Sequence, residues 1–307
     1  MKAKITDFLR QQDDFLILTH CRPDGDTVGS AAALCRGLRQ LGKTAFVLEN
    51  PEITPKYAGL LAGLTKSQAD PRDILIVTDV ASPGMLPVNA KDAKPELRID
   101  HHGSATSFAE QEWVEPDTAA CGEMIYEILA SLGVTMDEEI ADAVYTAVST
   151  DTGCFRYPNT RQHSYLVAAA CAAVSKNLFA INQKLFDTNT LGRLRIQGWM
   201  VENALFLQEG KICICAIPLE VERKLGLTED DMENISGFPR SIEGVCLAAT
   251  LRQQKDGLVK LSVRAVPGWD AAAVCEKFGG GGHKGAAGAS IRATMDDAVK
   301  QVIAAIQ

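Results

Sequence analysis

Three short apolar runs in this chain end directly on acids or histidines. Phe15-Leu-Ile-Leu-Thr19 leads into His20-Cys21-Arg22-Pro23-Asp24-Gly25-Asp26. Ile74-Leu-Ile-Val-Thr78 leads into Asp79, and Leu97-Arg-Ile99 into Asp100-His101-His102. Continuous apolar strands separated by helical patterns predict a mostly parallel sheet, covered by helices on both faces. Open sheets of this kind bind ligands in the crevice beyond the carboxyl ends of their strands. One α/β fold would therefore carry all three clusters to one place. A fourth cluster, Thr150-Asp151, follows a helical stretch instead, and a loop would have to bring it in.

The helical stretches are Thr27 to Leu41 (stopped by Gly42), Ala119 to Leu132 and Met136 to Ser149. Thr44 to Leu48 is a further strand. From Ser164 to Gln208 the pattern is largely helical. Lys211 to Ile217, Gly244 to Arg252 and Leu258 to Val266 read as strands, with helices over Asp270 to Phe278 and Met295 to Ile306. This predicts a first α/β domain over 1–185, a helical linker over 186–209, and a smaller α/β domain over 210–307. A length of 307 residues allows two cores.

Composition narrows the setting. No stretch approaches the length of a membrane span, and the polar start, Met1 to Phe8, lacks a secretory apolar region, so the expected location is cytoplasmic. The nine cysteines are scattered through apolar segments without a CxxC pair. They read as buried reduced thiols. A net charge of −8 argues against long duplex nucleic acid, whose binding draws on many Lys and Arg contacts, and leaves room for a short nucleotide.

Each acidic cluster has a plain structural alternative. Pro-Asp-Gly-Asp can be a turn whose last Asp caps a helix. Asp79 and Asp151 can cap turns, and Asp100-His101-His102 can be a satisfied core group. Together they amount to five carboxylates and three of the chain's five histidines. So many acids in one low-dielectric cleft repel one another, and bound cations are the ordinary remedy. Carboxylates suit Mg²⁺ and Mn²⁺, and imidazole suits the borderline transition metals. The mixed set favours two Mn²⁺ ions, with Mg²⁺, Co²⁺, Fe²⁺ and Zn²⁺ as alternatives.

Near the C-terminus stands Phe278-Gly279-Gly280-Gly281-Gly282-His283-Lys284-Gly285-Ala286-Ala287-Gly288. It reads either as a flexible loop or as backbone that approaches an anion closely. It lacks the Gly-Lys-Ser/Thr ending of a P-loop. On the strand Val259 to Arg264, alternation places Lys260, Ser262 and Arg264 on one face. That face is either solvated or, with Arg264 beside His283, a phosphate seat.

The four clusters in this order, with Asp-His-His third, resemble the DHH phosphoesterase superfamily. The GGGGHKGAAG segment and the preceding Ser-Val-Arg strand resemble its DHH-associated C-terminal domain. The length and two-domain plan are most similar to the bacterial nanoRNases, the oligoribonuclease and pAp-phosphatase type. The resemblance implies that His20, Asp24 and Asp79 hold one ion, and that Asp26, Asp79, His101 and Asp151 hold the other. Asp100 would orient a histidine, and His102 would face the scissile phosphate. Arg264, His283 and the amides of Gly280, Gly281 and Gly282 would bind the nucleotide's far phosphate, with His102 and His283 available as acids. The expected activity is hydrolysis of short RNA or linear dinucleotides to mononucleotides, with dephosphorylation of pAp. The alternatives are a cyclic-dinucleotide phosphodiesterase, a non-catalytic nucleotide sensor and a pyrophosphatase. A homodimer is compatible with the sequence, which shows no legible interface.

Overall fold

A computed structural model describes residues 1–103 and 106–306. The chain forms two compact units, Met1–Thr188 and Asn189–Gln307. Helices of ten residues or more are numbered below, and shorter ones are given by their residues.

The first unit is built on six strands: β1 (Phe15–Leu18), β2 (Ala45–Leu48), β3 (Thr65–Lys66), β4 (Ile74–Thr78), β5 (Leu97–Asp100) and β6 (Gln111–Val114). They lie in the order β3-β2-β1-β4-β5-β6, and every neighbouring pair is parallel. The strand order reverses between β1 and β4, and a crevice opens at such a reversal. His20 follows β1 and Asp79 follows β4, so the sheet itself delivers both residues to that point.

Strand alternation splits the core. Phe15 and Ile17 of β1 face a layer made by α1 (Lys2–Gln11), α2 (Gly25–Gln40), α3 (Cys121–Leu132), α4 (Glu138–Asp151) and α5 (Gln162–Ala172). Leu16 and Leu18 face the other way, into a smaller cluster with Val77, Val80 and Leu86. That side is roofed in part by the one-turn helix Pro83–Met85. Both faces are thus dry, which is why the strands read as unbroken apolar runs. The sequence reading did not include β3, β6 or α1. Two-residue β3 and the half-polar Gln-Glu-Trp-Val of β6 are edge strands, where the apolar signal weakens.

α2 and α4 pack backbone against backbone. A Cβ on Gly29 would stand 2.4 Å from the Ala143 carbonyl oxygen and 2.9 Å from the Ala147 nitrogen. This close approach fixes Asp26, one turn earlier on α2, relative to Asp151 at the end of α4.

In the second unit, β7 (Leu205–Leu207), β8 (Ile212–Ile217), β9 (Leu247–Gln253), β10 (Val259–Ala265), β11 (Gly281–His283) and β12 (Ala286–Ile291) run in the order β11-β12-β10-β9-β8-β7. β8 and β9 are parallel, and the other pairs are antiparallel. One face carries Ile214, Ala249, Leu261 and Val263 against the helix Ala271–Glu276 and α7 (Met295–Ile306). The other face is covered over β8 and β9 by α6 (Leu191–Glu202), through Ile196 and Met200 on Cys213, Cys215 and Ile217. The helix expected as a linker is therefore part of this unit. The division between units falls after Thr188, because two buried apolar positions on α6 complete the second core.

Two glycines on long helices should respond oppositely to alanine. Gly29→Ala must push α4 backbone away and should cost about 1–3 kcal/mol. Among the described residues nothing lies within 4 Å of a Cβ on Gly198 in α6, so Gly198→Ala should stabilise by up to about 1 kcal/mol. Urea denaturation of each variant measures both.

Candidate metal centre

The turn after β1 starts the site. Asp24 is the N-cap of α2, and its Oδ1 accepts from the backbone N–H of Asp26 (3.1 Å) and Thr27 (3.3 Å). The capping role expected of the last Asp in Pro-Asp-Gly-Asp belongs to Asp24. Asp26 caps a different helix. Its Oδ2 accepts from the N–H of Cys121 (2.6 Å), and its Oδ1 from the N–H of Gly122 (2.9 Å) and Ser30 Oγ (3.0 Å). These are the first amides of α3, whose own N-cap, Ala120, has no side-chain acceptor to offer. The fully buried Asp26 carboxylate thus meets the positive end of a helix.

Asp79 follows β4 with φ +61°, a left-handed conformation that aspartate tolerates better than most residues. Its N–H donates to the Ile99 carbonyl at 2.9 Å, which ties it to β5. The side chain is buried, and Oδ1 has no hydrogen bond among the described residues. A buried carboxylate oxygen without a donor is costly, so it calls for a partner of another kind.

That oxygen faces His101. His101 Nε2 stands 3.4 Å from Asp79 Oδ1, 3.7 Å from Asp26 Oδ2 and 3.6 Å from Asp151 Oδ2. The other carboxylate oxygen, Asp79 Oδ2, lies 3.6 Å from His20 Nε2, which is also 3.5 Å from Asp24 Oδ1. Both imidazoles present Nε2 because Nδ1 is engaged with a carbonyl, of Cys21 for His20 (2.8 Å) and of Thr118 for His101 (3.1 Å). Such an anchored ring is how proteins hold a metal-binding histidine.

The spacing carries information. Separations of 3.4–3.7 Å are longer than a good hydrogen bond. Two atoms that each bind one small divalent ion at about 2.0–2.2 Å stand roughly 3–3.6 Å from each other. His20, Asp24 and Asp79 form one group of this kind, and Asp26, His101 and Asp151 form a second. Asp79 offers one oxygen to each. Asp79, His101 and His102 also lie close enough to share an ion. The residues present therefore fit a pair of divalent cations.

Protonation points the same way. Burial alone would lower the imidazole pKa values. The carboxylates of Asp24 and Asp79 instead raise His20 to about 11, and Asp79, Asp26 and Asp151 raise His101 to about 10. Burial pushes the Asp151 carboxyl up to about 7; His101 pulls against this and Asp79 adds to it. Burial, then the charges of Asp79 and Asp151, push Asp26 well above the carboxylate range. Acids that retain protons and histidines that gain them both report an excess of negative charge.

Asp151 reaches the site differently from the expectation. It is the last residue of α4, with no loop between. Dipole and charge oppose each other there, because a helix C-terminus disfavours an anion. Asn159 steadies the position by donating through Nδ2 to the Asp151 and Ala119 carbonyls, both at 3.1 Å.

Asp100 stands behind the centre. Its Oδ1 accepts from His102 Nδ1 at 2.7 Å and from the His101 N–H at 2.9 Å. The pair leaves Nε2 of the part-exposed His102 free of that bond. Its Oδ2 pairs with Arg98, which is fully buried, as is Asp100 itself. Arg98 also lies 3.5 Å from Glu112 and over the Phe108 ring, 5.1 Å from its centroid. Arg98 was missed from the sequence, although a lone cation inside the apolar Leu-Arg-Ile-Asp strand is a signal for a buried ion pair. Asn50 was also missed. Its Nδ2 donates to Thr19 Oγ1 and to the His20 carbonyl, both at 3.0 Å, and so fixes the turn that carries His20.

The other expected site residues lie in the second unit. Gly281, Gly282 and His283 form β11, an edge strand paired with Ala286, Ala287 and Gly288, so the glycine run is largely a hairpin. A Cβ on Gly280 would lie 2.2 Å from the Gly288 carbonyl oxygen, and one on Gly282 2.6 Å from that of Ala286. Hairpin packing demands glycine at both positions, whatever their amides bind. Arg264 and His283 are each paired with Ala286 in register. They therefore share one sheet face, with only a methyl group between them.

A family model described as "DHH family, N-terminal domain" matches residues 14–148, and one described as "DHHA1 domain" matches 209–307. A Thermus thermophilus protein named bifunctional oligoribonuclease and PAP phosphatase NrnA is 31% identical, covering 95% of this chain and 88% of its own length. A Bacillus subtilis protein of the same name is 24% identical over 95% of this chain and 93% of its own. A solved exopolyphosphatase-related protein from Bacteroides fragilis shares the fold, with a TM-score of 0.86 at 23% identity. The match covers 99% of this chain and 95% of that one. With the two joined acid–histidine groups and both matched domains in one polypeptide, this chain belongs to the DHH family.

Proposed function

We infer that this chain is a metal-dependent phosphoesterase that cleaves short oligoribonucleotides and linear dinucleotides to mononucleotides and removes phosphate from pAp. The carrying observation is the pair of acid–imidazole groups joined through the two oxygens of Asp79. The names of the Thermus thermophilus and Bacillus subtilis relatives support the substrate class.

Two divalent ions, Mn²⁺ by the mixed donor set, would be held by His20, Asp24 and Asp79 and by Asp26, Asp79, His101 and Asp151, and would supply Lewis acidity toward phosphoryl oxygens and a lowered pKa for water. The chain's own residues do the rest. Asp100 fixes the His102 ring through Nδ1, which leaves Nε2 to carry a proton to a phosphoryl or leaving oxygen. Asp100 raises the His102 pKa, favouring that protonated form. Burial pushes the Asp100 pKa up, but the hydrogen bond and charge of His102, and then the paired Arg98, pull it below the usual carboxylate range, so this acid stays ionised. In the second unit, Arg264, His283 and the amides around Gly280, Gly281 and Gly282 would take another phosphate of the substrate. As an edge strand, β11 leaves alternate backbone N–H groups unladdered. His283 is exposed and could also donate a proton there.

Among the described residues no helix is long and apolar enough to cross a membrane. All nine cysteines are free thiols, which supports a reducing, cytoplasmic setting. A homodimer belongs to the same reading.

A panel of two- to five-nucleotide RNAs, pAp, linear and cyclic dinucleotides and pyrophosphate, at fixed Mn²⁺, tests the activity. The expected order of catalytic efficiency puts short RNA, linear dinucleotides and pAp first, and no turnover of any of them would overturn it. Asp79→Ala removes a ligand from both groups. It should lower turnover beyond the roughly 10–100-fold typical of a supporting residue. Metal binding should expel protons, because His20 and His101, raised to about 11 and about 10, hold them at neutral pH in the metal-free site, and Asp151, raised to about 7, holds one in part. Affinity should therefore rise with pH between 6 and 8, about tenfold per unit for each proton released. Calorimetry in buffers of different ionisation enthalpy measures that number.

A further inference from the structure

Beyond Asp151 the chain turns left-handed. Gly153, Cys154 and Phe155 have φ of +57°, +58° and +61°. Such backbone is unfavourable for Cys and Phe, and consecutive residues of this kind persist only where their surroundings enforce them. Here the enforcement is visible. Thr152 Oγ1 accepts from the Phe155 N–H at 3.1 Å. The Thr152 carbonyl accepts from the N–H groups of both Arg156 and Tyr157 at 3.0 Å. Arg156 Nε donates to the Gly153 carbonyl at 2.7 Å.

The turn lays the Tyr157 ring on Gly153. A Cβ there would stand 2.4–2.6 Å from Cζ, Cε1 and Cε2 of the ring. Gly153 is two residues past Asp151, so their Cα atoms are at most about 7.6 Å apart. The ring is thus seated on backbone next to an acid of the metal centre. It nevertheless stays 49% exposed. One side of the ring is thus held by the turn and about half of its surface is open.

We propose that Tyr157 is the stacking platform for the nucleobase of the nucleotide whose phosphate enters the centre. This rests on the phosphoesterase reading above, which puts a phosphate beside Asp151, and it names what lies next to that phosphate. Every base has an aromatic face, so a single ring accepts bases of any sequence. Phosphates recognised by the acid–histidine centre, and a base recognised by its face alone, describe a substrate of unrestricted sequence.

Binding of AMP and of ribose 5-phosphate to the full chain with Mn²⁺, by calorimetry, tests this without turnover. Wild type should prefer AMP. Tyr157→Ala should weaken AMP about 5- to 150-fold, the range for loss of one stacked base, and leave ribose 5-phosphate unchanged. Tyr157→Phe and Tyr157→Trp should keep AMP affinity. Unaltered ribose 5-phosphate affinity also shows that the variants are folded. Equal AMP affinity in wild type and Tyr157→Ala would overturn the platform, as would parallel losses for both ligands. Turnover of a linear dinucleotide, followed in the same preparations, judges the hydrolytic reading separately. A chain with Tyr157-dependent AMP binding and no hydrolysis would lose that reading and keep the platform.

Discussion

The carboxylates of Asp24, Asp26, Asp79 and Asp151 repel one another, yet the fold holds them around two imidazoles in the crevice between β1 and β4. Each is restrained by backbone that has no freedom to move away. Asp24 is tied to the first turn of α2, and Asp26 to the amides of α3. Asp79 is fixed by its left-handed φ and its bond to β5. The repulsion cannot relax by motion, so it relaxes by uptake of positive charge. Protons answer that need in the bare site, and the same need is what would draw divalent ions to it.

Behind this ring sits a second one of opposite purpose. The buried Arg98 and Asp100 and the part-exposed His102 form a relay in which each charge is answered by the next. A buried ion pair contributes little net stability, because desolvation offsets attraction. Its use here is orientation: with Asp100 fixed, the His102 ring has one face of chemistry to offer.

Much of this was legible in the sequence because parallel sheets place function where strands end. The runs ending at His20, Asp79 and Asp100 needed only the rule that ligands bind at carboxyl ends. Residues that act through three-dimensional contacts were not legible. Nothing in Ala119-Ala120-Cys121-Gly122 announces that a distant aspartate caps it. Asn50 and Asn159 look like ordinary loop polars until their carbonyl partners are known. Asp151 seemed to need a loop, because it follows a helical pattern and not a strand. The glycine run was read for its amides, whereas Gly280 and Gly282 are also demanded by the close approach of β12. Composition can mark such a segment, but it cannot separate a packing need from a binding one.

The cap that Asp26 places on α3 makes that position doubly committed. One carboxylate belongs to the proposed metal centre and is also the first link of a helix ninety-five residues away in the chain. Evolution has thereby little liberty there. A lineage that abandoned catalysis would still have reason to keep the aspartate, so its presence in a distant homologue testifies to architecture as much as to activity.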